Sequence, residues 1–128
     1  MNLIGRMRLT LKTGATVFGL SAVLLLLLPD FFLELLALES NPELVWSMRM
    51  IGVTLIALTG NMYVVASTAP DAGVNRSAKV MLIAAGGLGI LTLAIPAELS
   101  WFSIAYAAVG FGFSAMYGTL LLLSSRSR

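Results

Sequence analysis

The sequence predicts an all-α membrane protein in which four transmembrane helices form an antiparallel bundle. Of the 128 residues, 59% are apolar and only 11% are charged, whereas soluble domains are about half apolar and a quarter charged. The charged residues also fall at the ends of long apolar runs. We therefore expect a single membrane domain over residues 1–128, with spans at about 9–28, 43–67, 80–95 and 99–123.

The first span follows a basic leader. After three basic residues, Thr13 to Leu28 runs for sixteen residues without a charge. This resembles the front of a signal peptide, but no small-residue cleavage site follows. We expect an uncleaved helix that begins near Leu9, with the basic residues at its first end: Arg6, Arg8 and Lys12.

The segment after the first span allows two interpretations. Pro29 predicts that the helix ends or kinks there, because proline lacks a backbone N–H. Phenylalanines and leucines then alternate irregularly with Glu34 and Glu39, which suits a short helix lying in the membrane interface. The alternative is that the first helix continues past a kink to Leu38. We favour the interfacial helix.

The second span has clear signals at both ends. Ser40 and Glu43 form a predicted capping box, and Pro42 needs no N–H in the first helical turn. The helix then runs to about Ser67, before the turn sequence Ala69-Pro70-Asp71-Ala72-Gly73.

The third and fourth spans are separated by the tight connection Pro96-Ala97-Glu98. Small residues recur within the spans, and in lipid such residues let helix backbones approach closely. We predict helix packing, either within one chain or between subunits, at Gly52, Gly60, Gly86, Gly110, Ser114 and Gly118.

Charge sets the predicted orientation. In a four-span chain, seven of the eight basic residues lie on one side, and five of the six acidic residues lie on the other. The positive-inside rule then places both termini in the cytoplasm of a bacterial cell, with the protein in the inner membrane. The basic side holds Arg6, Arg8, Lys12, Arg76, Lys79, Arg126 and Arg128, and the acidic side holds Asp30, Glu34, Glu39, Glu43 and Glu98.

Aromatic residues agree with this orientation. Trp46 and Trp101 stand at the outer ends of the second and fourth spans, and Tyr63 and Tyr117 follow 17 and 16 residues later. That spacing corresponds to about 24–26 Å of helix, which suits anchors in the two aromatic belts of a membrane. Met62-Tyr63 is also echoed by Met116-Tyr117, which hints at two related helical hairpins.

The candidate contact residues for a ligand or partner are Arg49, Asp30, Glu34 and Asn61. Arg49 is the charge that intrudes on the second span, one turn inside Trp46. The plainer alternative is that it snorkels to head groups or pairs with Glu34, Glu43 or Glu98. Asn61 lies about 120° around the helix and about 18 Å away, so the two form separate sites. We expect Asn61 to hydrogen-bond another helix.

Several chemistries are disfavoured. With no cysteine and no histidine, the chain lacks thiolate and imidazole ligands and any Cys/His nucleophile pair. The glycines at positions 86, 87 and 89 lie within a span and lack the Lys and Ser/Thr of a phosphate loop. The sequence therefore predicts no catalytic residue, no metal and no cofactor. The basic residues cluster at span ends, so no nucleic-acid partner is expected.

Three short motifs resemble a known group of proteins. Pro29-Asp30-Phe31-Phe32, then Trp46-x-x-Arg49-x-x-Gly52, then Tyr63 look like small bacterial four-span proteins of DoxX-like or uncharacterised type. The resemblance covers most of the first hairpin, roughly half of the chain. It implies a compact four-helix membrane fold and no established activity.

These features predict a non-enzymatic protein that packs against a larger membrane complex as an accessory or scaffold subunit. Its partners would be the lipid bilayer and other membrane subunits or itself. The alternative is a small homo-oligomeric transporter or channel, with Arg49, Thr59, Asn61 and Tyr106 along a path. A membrane enzyme using Asp30, Glu34 and Arg49 at the outer face ranks lowest.

Overall fold

The fold is a bundle of helices, as predicted. The computed structural model describes residues 2–127, and Met1 and the predicted basic-side residue Arg128 lie outside this range. Four helices within the range are long and apolar enough to cross a membrane, so the chain is an all-α, multi-pass protein. The helices are α1 (Leu3–Leu27), α2 (Pro29–Leu35), α3 (Pro42–Thr68), α4 (Asp71–Leu93) and α5 (Trp101–Arg126).

The bundle consists of two antiparallel pairs. α1 packs along α3, and α4 packs along α5, while α1 also touches α2, α4 and α5. The spanning helices have 23 to 27 residues, which gives lengths of about 35–40 Å. The hydrocarbon core is only about 30 Å thick, so the end turns extend into the head-group layers. α1 is the central helix of the bundle.

The matching Met-Tyr pairs of the two hairpins, Met62-Tyr63 and Met116-Tyr117, lie in different environments. Met62 is 2% exposed and Tyr63 is 56% exposed, whereas Met116 is 51% exposed and Tyr117 is fully buried. The methionine of the first pair and the tyrosine of the second therefore face the core. The hairpins share their direction through the membrane but pack through different faces.

Two helices begin earlier than predicted. α1 begins at Leu3 because the Asn2 side chain accepts a 2.7 Å hydrogen bond from the Gly5 backbone N–H. α4 begins at Asp71 rather than near Val80. Its polar first turns stay helical because they emerge from the apolar part of the span, and an acid in the first turn suits the helix dipole.

The start of α3 was predicted correctly, but its cap was not. Asn41, rather than Ser40, is the N-cap, and its Oδ1 accepts a 2.9 Å hydrogen bond from the Leu44 N–H. The Ser40 hydroxyl instead donates to the Asp30 carboxylate. Ser40 therefore ties the connection back to α2.

A separate short helix, α2, follows α1. Leu28 ends α1, and Pro29 starts α2, so the first helix does not continue to Leu38. Phe32 and Leu33 of α2 are buried in the bundle. The Phe32 ring meets the Phe102 ring edge to face, with centroids 5.5 Å apart. α2 therefore closes the bundle at the end opposite the N-terminus.

The main core lies in the half of the bundle nearest the N-terminus. Tyr117, Met7, Leu11 and Val74 are fully buried there, and they belong to one cluster contributed by all four spanning helices. Unbranched methionines fill its irregular gaps. The basic end of the protein is consequently its most closely packed half.

Candidate functional site

Arg49 stands on the surface of α3, one turn inside Trp46. Across residues 2–127 the single ion pair joins Arg8 to Asp71. Arg49 therefore pairs with none of the outer carboxylates considered from the sequence. The Arg49 side chain is exposed and so faces the surroundings of the bundle rather than its interior.

The two predicted acidic contacts are elsewhere. Asp30 and Glu34 are exposed residues of α2. The carboxylate of Asp30 is engaged by the Ser40 hydroxyl. The structure thus brings neither acid to Arg49, and the candidate residues do not form one pocket.

Asn61 also points out of the bundle. It is exposed, and its Nδ2 donates a 3.0 Å hydrogen bond to the Ala57 carbonyl of its own helix. The prediction that Asn61 bonds another helix is therefore wrong within this chain. Thr59 makes the contact instead, because its hydroxyl donates to the Ala15 carbonyl of α1 at 3.2 Å.

These observations define an outward face of α3. The helix rests on α1 through its buried residues Gly52, Met62 and Ala66. The opposite side is exposed along the whole span. We call this side the outward face of α3, and it comprises Met50, Val53, Thr54, Ala57 and Asn61.

The interior offers little for a solute. A cavity of about 30 Å³ lies between α1, α4 and α5, which is room for about one water molecule. Its described lining has no charged side chain and includes Val17, Leu88 and Phe113. The Tyr106 hydroxyl near it is bonded to the Ser21 hydroxyl at 3.2 Å.

Most of the predicted small residues lie at helix contacts. A Cβ added at Gly52 would stand 2.9 Å from Leu26 Cγ of α1, and one at Gly110 would stand 2.9 Å from the Ala85 carbonyl oxygen of α4. Gly86 faces Ser114, whose hydroxyl donates to the Leu82 carbonyl at 2.9 Å. Leu82 also contacts the position of Gly118.

Gly60 is the exception among these residues. A Cβ added there would meet no atom within 4 Å. Gly60 therefore makes no helix contact within the described chain, because it lines an open hollow beside α1, and a contact between subunits stays a prediction. The position is open to the surroundings.

Three of the four predicted aromatic anchors are exposed, and the fourth is buried. Trp46 is 64% exposed, Trp101 73% and Tyr63 56%, and their placement at the lipid head groups stays a prediction. Tyr117 is fully buried, so it is not an interface anchor. Its hydroxyl donates a 3.4 Å hydrogen bond to the Thr10 carbonyl and lies 3.2 Å from an added Cβ at Gly14.

Arg8 has a structural role that the sequence did not reveal. Its Nη atoms donate to the Ala66 carbonyl at 3.0 Å and the Ala69 carbonyl at 2.7 Å. The same group pairs with Asp71 at 3.1 Å. Helix C-termini leave carbonyls unpaired, and α3 has no basic residue in its own last turn. The lack of a basic residue at the end of α3 was the sequence feature that could have indicated a basic partner from another helix.

Comparisons with known proteins give no relative. No protein-family model matches the chain, and no curated protein or solved structure matches it either. The resemblance to DoxX-like proteins stays a prediction.

Proposed function

We propose that this protein is a non-enzymatic accessory or scaffold subunit that docks against a larger complex through the outward face of α3. The observation that carries the proposal is the position of Asn61. A polar amide within a span faces away from all the other helices, with a single hydrogen bond to its own backbone.

Such a position is costly in lipid alone. An amide has two donors and an acceptor with two lone pairs, and hydrocarbon cannot satisfy those that remain. A second helix against this face would supply hydrogen-bonding partners. The flanking Ala57 and Thr54 are small enough to let a helix come close.

Arg49 adds a second contact at the outer end of the same helix. A charged side chain inside a bilayer normally pairs or reaches the head groups. No carboxylate among residues 2–127 pairs with it. An acidic side chain of the partner would complete this contact.

The proposed setting is the bacterial inner membrane with both termini in the cytoplasm. The helix order places Arg6, Arg8, Arg76 and Arg126 at one end of the bundle. Asp30, Glu34 and Glu98 belong to the segments at the other end. This separation supports the orientation through the positive-inside rule.

A photo-crosslinking residue at Ala57 tests the proposal in intact cell membranes. We expect a covalent product with one distinct membrane protein, identified by mass spectrometry. The matched control is Ile83 of α4, which is 73% exposed and lies on another helix. Equal products from both positions, or lipid products alone, would contradict the proposal.

Asn61→Leu gives a second measurement on the same complex. An interhelical hydrogen bond contributes about 0.6–1 kcal/mol in lipid, so the variant should retain about three- to fivefold less partner. Thr92→Leu on α4 is the control, because its hydroxyl likewise bonds only its own helix, at the Leu88 carbonyl. If Asn61→Leu retains as much partner as the unaltered protein, the Asn61 amide does not take part in the contact.

A homo-oligomeric transporter is the second candidate. The small apolar cavity offers no polar route within one copy, so a path would have to run between copies, along Asn61 and Thr54. The same crosslinking experiment separates the two functions. Products formed only between two copies of this chain would favour the transporter.

A further inference from the structure

Two surface hollows, which we together call the groove, lie along the seam between α1 and α3. Its first part, which we call the mouth, lies near the N-terminus and is lined by Arg8, Lys12, Ser67 and Thr68, with a volume of about 550 Å³. Its second part, which we call the trough, also holds about 550 Å³ and includes Gly19 and Gly60. Lys12 of the mouth and Tyr63 of the trough are neighbours, with the Lys12 Nζ 5.5 Å from the Tyr63 ring centroid.

The mouth carries one positive charge, that of Lys12, which no acidic residue of the described chain matches. Arg8 is held by two carbonyls and Asp71, and no acidic residue lines the mouth. Within the described part of the chain, the Lys12 ammonium has the Tyr63 ring face as its neighbour and no carboxylate. The Ser67 hydroxyl adds a hydrogen-bond donor to the same hollow, whereas the Thr68 hydroxyl already donates to the Val64 carbonyl at 2.8 Å.

The trough is apolar and unfilled. A Cβ at Gly60 would meet nothing within 4 Å, and one at Gly19 would touch only Thr59. The trough reaches Val23 on α1, eleven residues beyond Lys12. That distance is about 17 Å along the helix, close to one leaflet of a hydrocarbon core about 30 Å thick.

We propose that this groove binds one anionic phospholipid. The phosphate of its head group sits in the mouth against Lys12 and the Ser67 hydroxyl, and an acyl chain fills the trough over Gly60. Cationic grooves between helices at the basic side of a membrane protein suit anionic head groups. A zwitterionic lipid would bring a second cation beside Lys12 and so bind less well.

The lipid site does not depend on the partner proposed above. Gly60 and Asn61 are neighbours in sequence, but their side positions differ by about 100° around the helix. The groove borders α1, whereas the outward face of α3 points away from it. Loss of either contact therefore leaves the other measurable.

Native mass spectrometry of the purified full chain tests the site. The probes are phosphatidylglycerol and phosphatidylcholine with identical acyl chains, titrated into the same detergent. We expect one phosphatidylglycerol molecule to remain bound at collision energies that remove phosphatidylcholine. Equal retention of the two lipids would overturn the proposal.

Two variants locate the binding in the groove. Lys12→Gln should weaken retention of phosphatidylglycerol about fivefold, because a basic residue near a membrane surface contributes about that factor. Lys79→Gln is the matched control, because Lys79 is exposed on α4 and lines a different surface hollow. Equal losses from both variants would indicate general charge attraction and would refute the site.

Gly60→Leu should fill the trough and remove the bound lipid without unfolding the chain, since no atom lies within 4 Å of the added Cβ. Gly112→Leu on α5 is its control, because that position is equally open. Circular dichroism checks that both variants fold. If Gly60→Leu changes the oligomeric state and leaves lipid retention intact, the groove holds a second copy and the proposal fails.

Discussion

Arg8 fastens the start of α1 to the end of α3. Its guanidinium satisfies the carbonyls of Ala66 and Ala69, and its charge suits the negative end of the helix dipole. The side chain is only 26% exposed. A basic residue that looks from sequence like a topology signal therefore also terminates another helix.

We predict that Arg8→Met lowers the free energy of unfolding by about 1–3 kcal/mol, because two carbonyls lose a charged donor. Arg6→Met should change it by less than about 0.5 kcal/mol, since Arg6 is exposed. Denaturant titration in detergent micelles measures both. Similar losses from the two variants would show that net charge, rather than these hydrogen bonds, is responsible.

Ala37 is held in a left-handed conformation, with φ of 59°. It follows α2 in a Schellman motif, in which the Leu38 N–H donates to the Leu33 carbonyl at 2.9 Å and the Ala37 N–H donates to the Glu34 carbonyl at 3.0 Å. Glycine is the usual residue there because it has no Cβ. The alanine costs stability at this turn.

We predict that Ala37→Gly raises the free energy of unfolding by about 0.5–1 kcal/mol. Ala108→Gly, at an exposed position inside α5, should lower it by about 0.5–1 kcal/mol, because glycine weakens a helix interior. Thermal unfolding of the two variants in one detergent compares them directly. A loss of stability in both would rule out strain at Ala37.

At the scale of helices, the α4–α5 pair depends on close backbone approach. The ideal Cβ at Gly110 would stand 2.9 Å from the Ala85 oxygen and 3.3 Å from the Gly89 nitrogen. Backbone atoms cannot rotate aside as a side chain can. An added methyl group there must push the two helices apart.

Gly110→Ala should therefore cost about 1–3 kcal/mol of stability. Gly112→Ala, two residues away on the same helix, meets nothing within 4 Å and should gain up to about 1 kcal/mol from helix propensity. The two midpoints of denaturation should move in opposite directions. A gain in both variants would mean that α4 and α5 are further apart than described.

The sequence predicted helices better than it predicted their faces. Capping signals gave the start of α3 to within a residue, whereas hydropathy misplaced the start of α4 because it marks where a chain enters lipid rather than where a helix begins. Tyr117 was assigned to the wrong environment, and the open position of Gly60 was not foreseen, for another reason. Both lie on helices that are apolar on every side, so no periodicity tells which side meets a neighbour.

At the scale of the molecule, the proposed four-span order places the connection before α4 and the connection after it on opposite sides of the membrane. The chain contains no cysteine, so single cysteines introduced at exposed sites report their own side. We expect Glu98→Cys to react with a membrane-impermeant maleimide in intact cells with a permeabilised outer membrane. Ala72→Cys should react only after the inner membrane is broken.

The proposed orientation fails if Ala72→Cys is labelled in intact cells and Glu98→Cys is not. Labelling of both would instead contradict the four-span order. Immunoblotting for equal amounts of the two variants excludes a difference in expression. If the labelling agrees with the proposed orientation, Arg49 of the partner site lies in the outer leaflet and Lys12 of the lipid site lies in the inner leaflet.

The central place of α1 has a consequence for synthesis in the cell. α1 reaches the membrane before the other four helices, yet Thr10 and Gly14 receive their neighbour Tyr117 only with α5. The pair of α1 and α3 can close early, but one side of α1 stays uncovered while α4 and α5 are being translated. Lipid or another membrane protein covers that side in the interval, and α5 then completes the core that α1 begins.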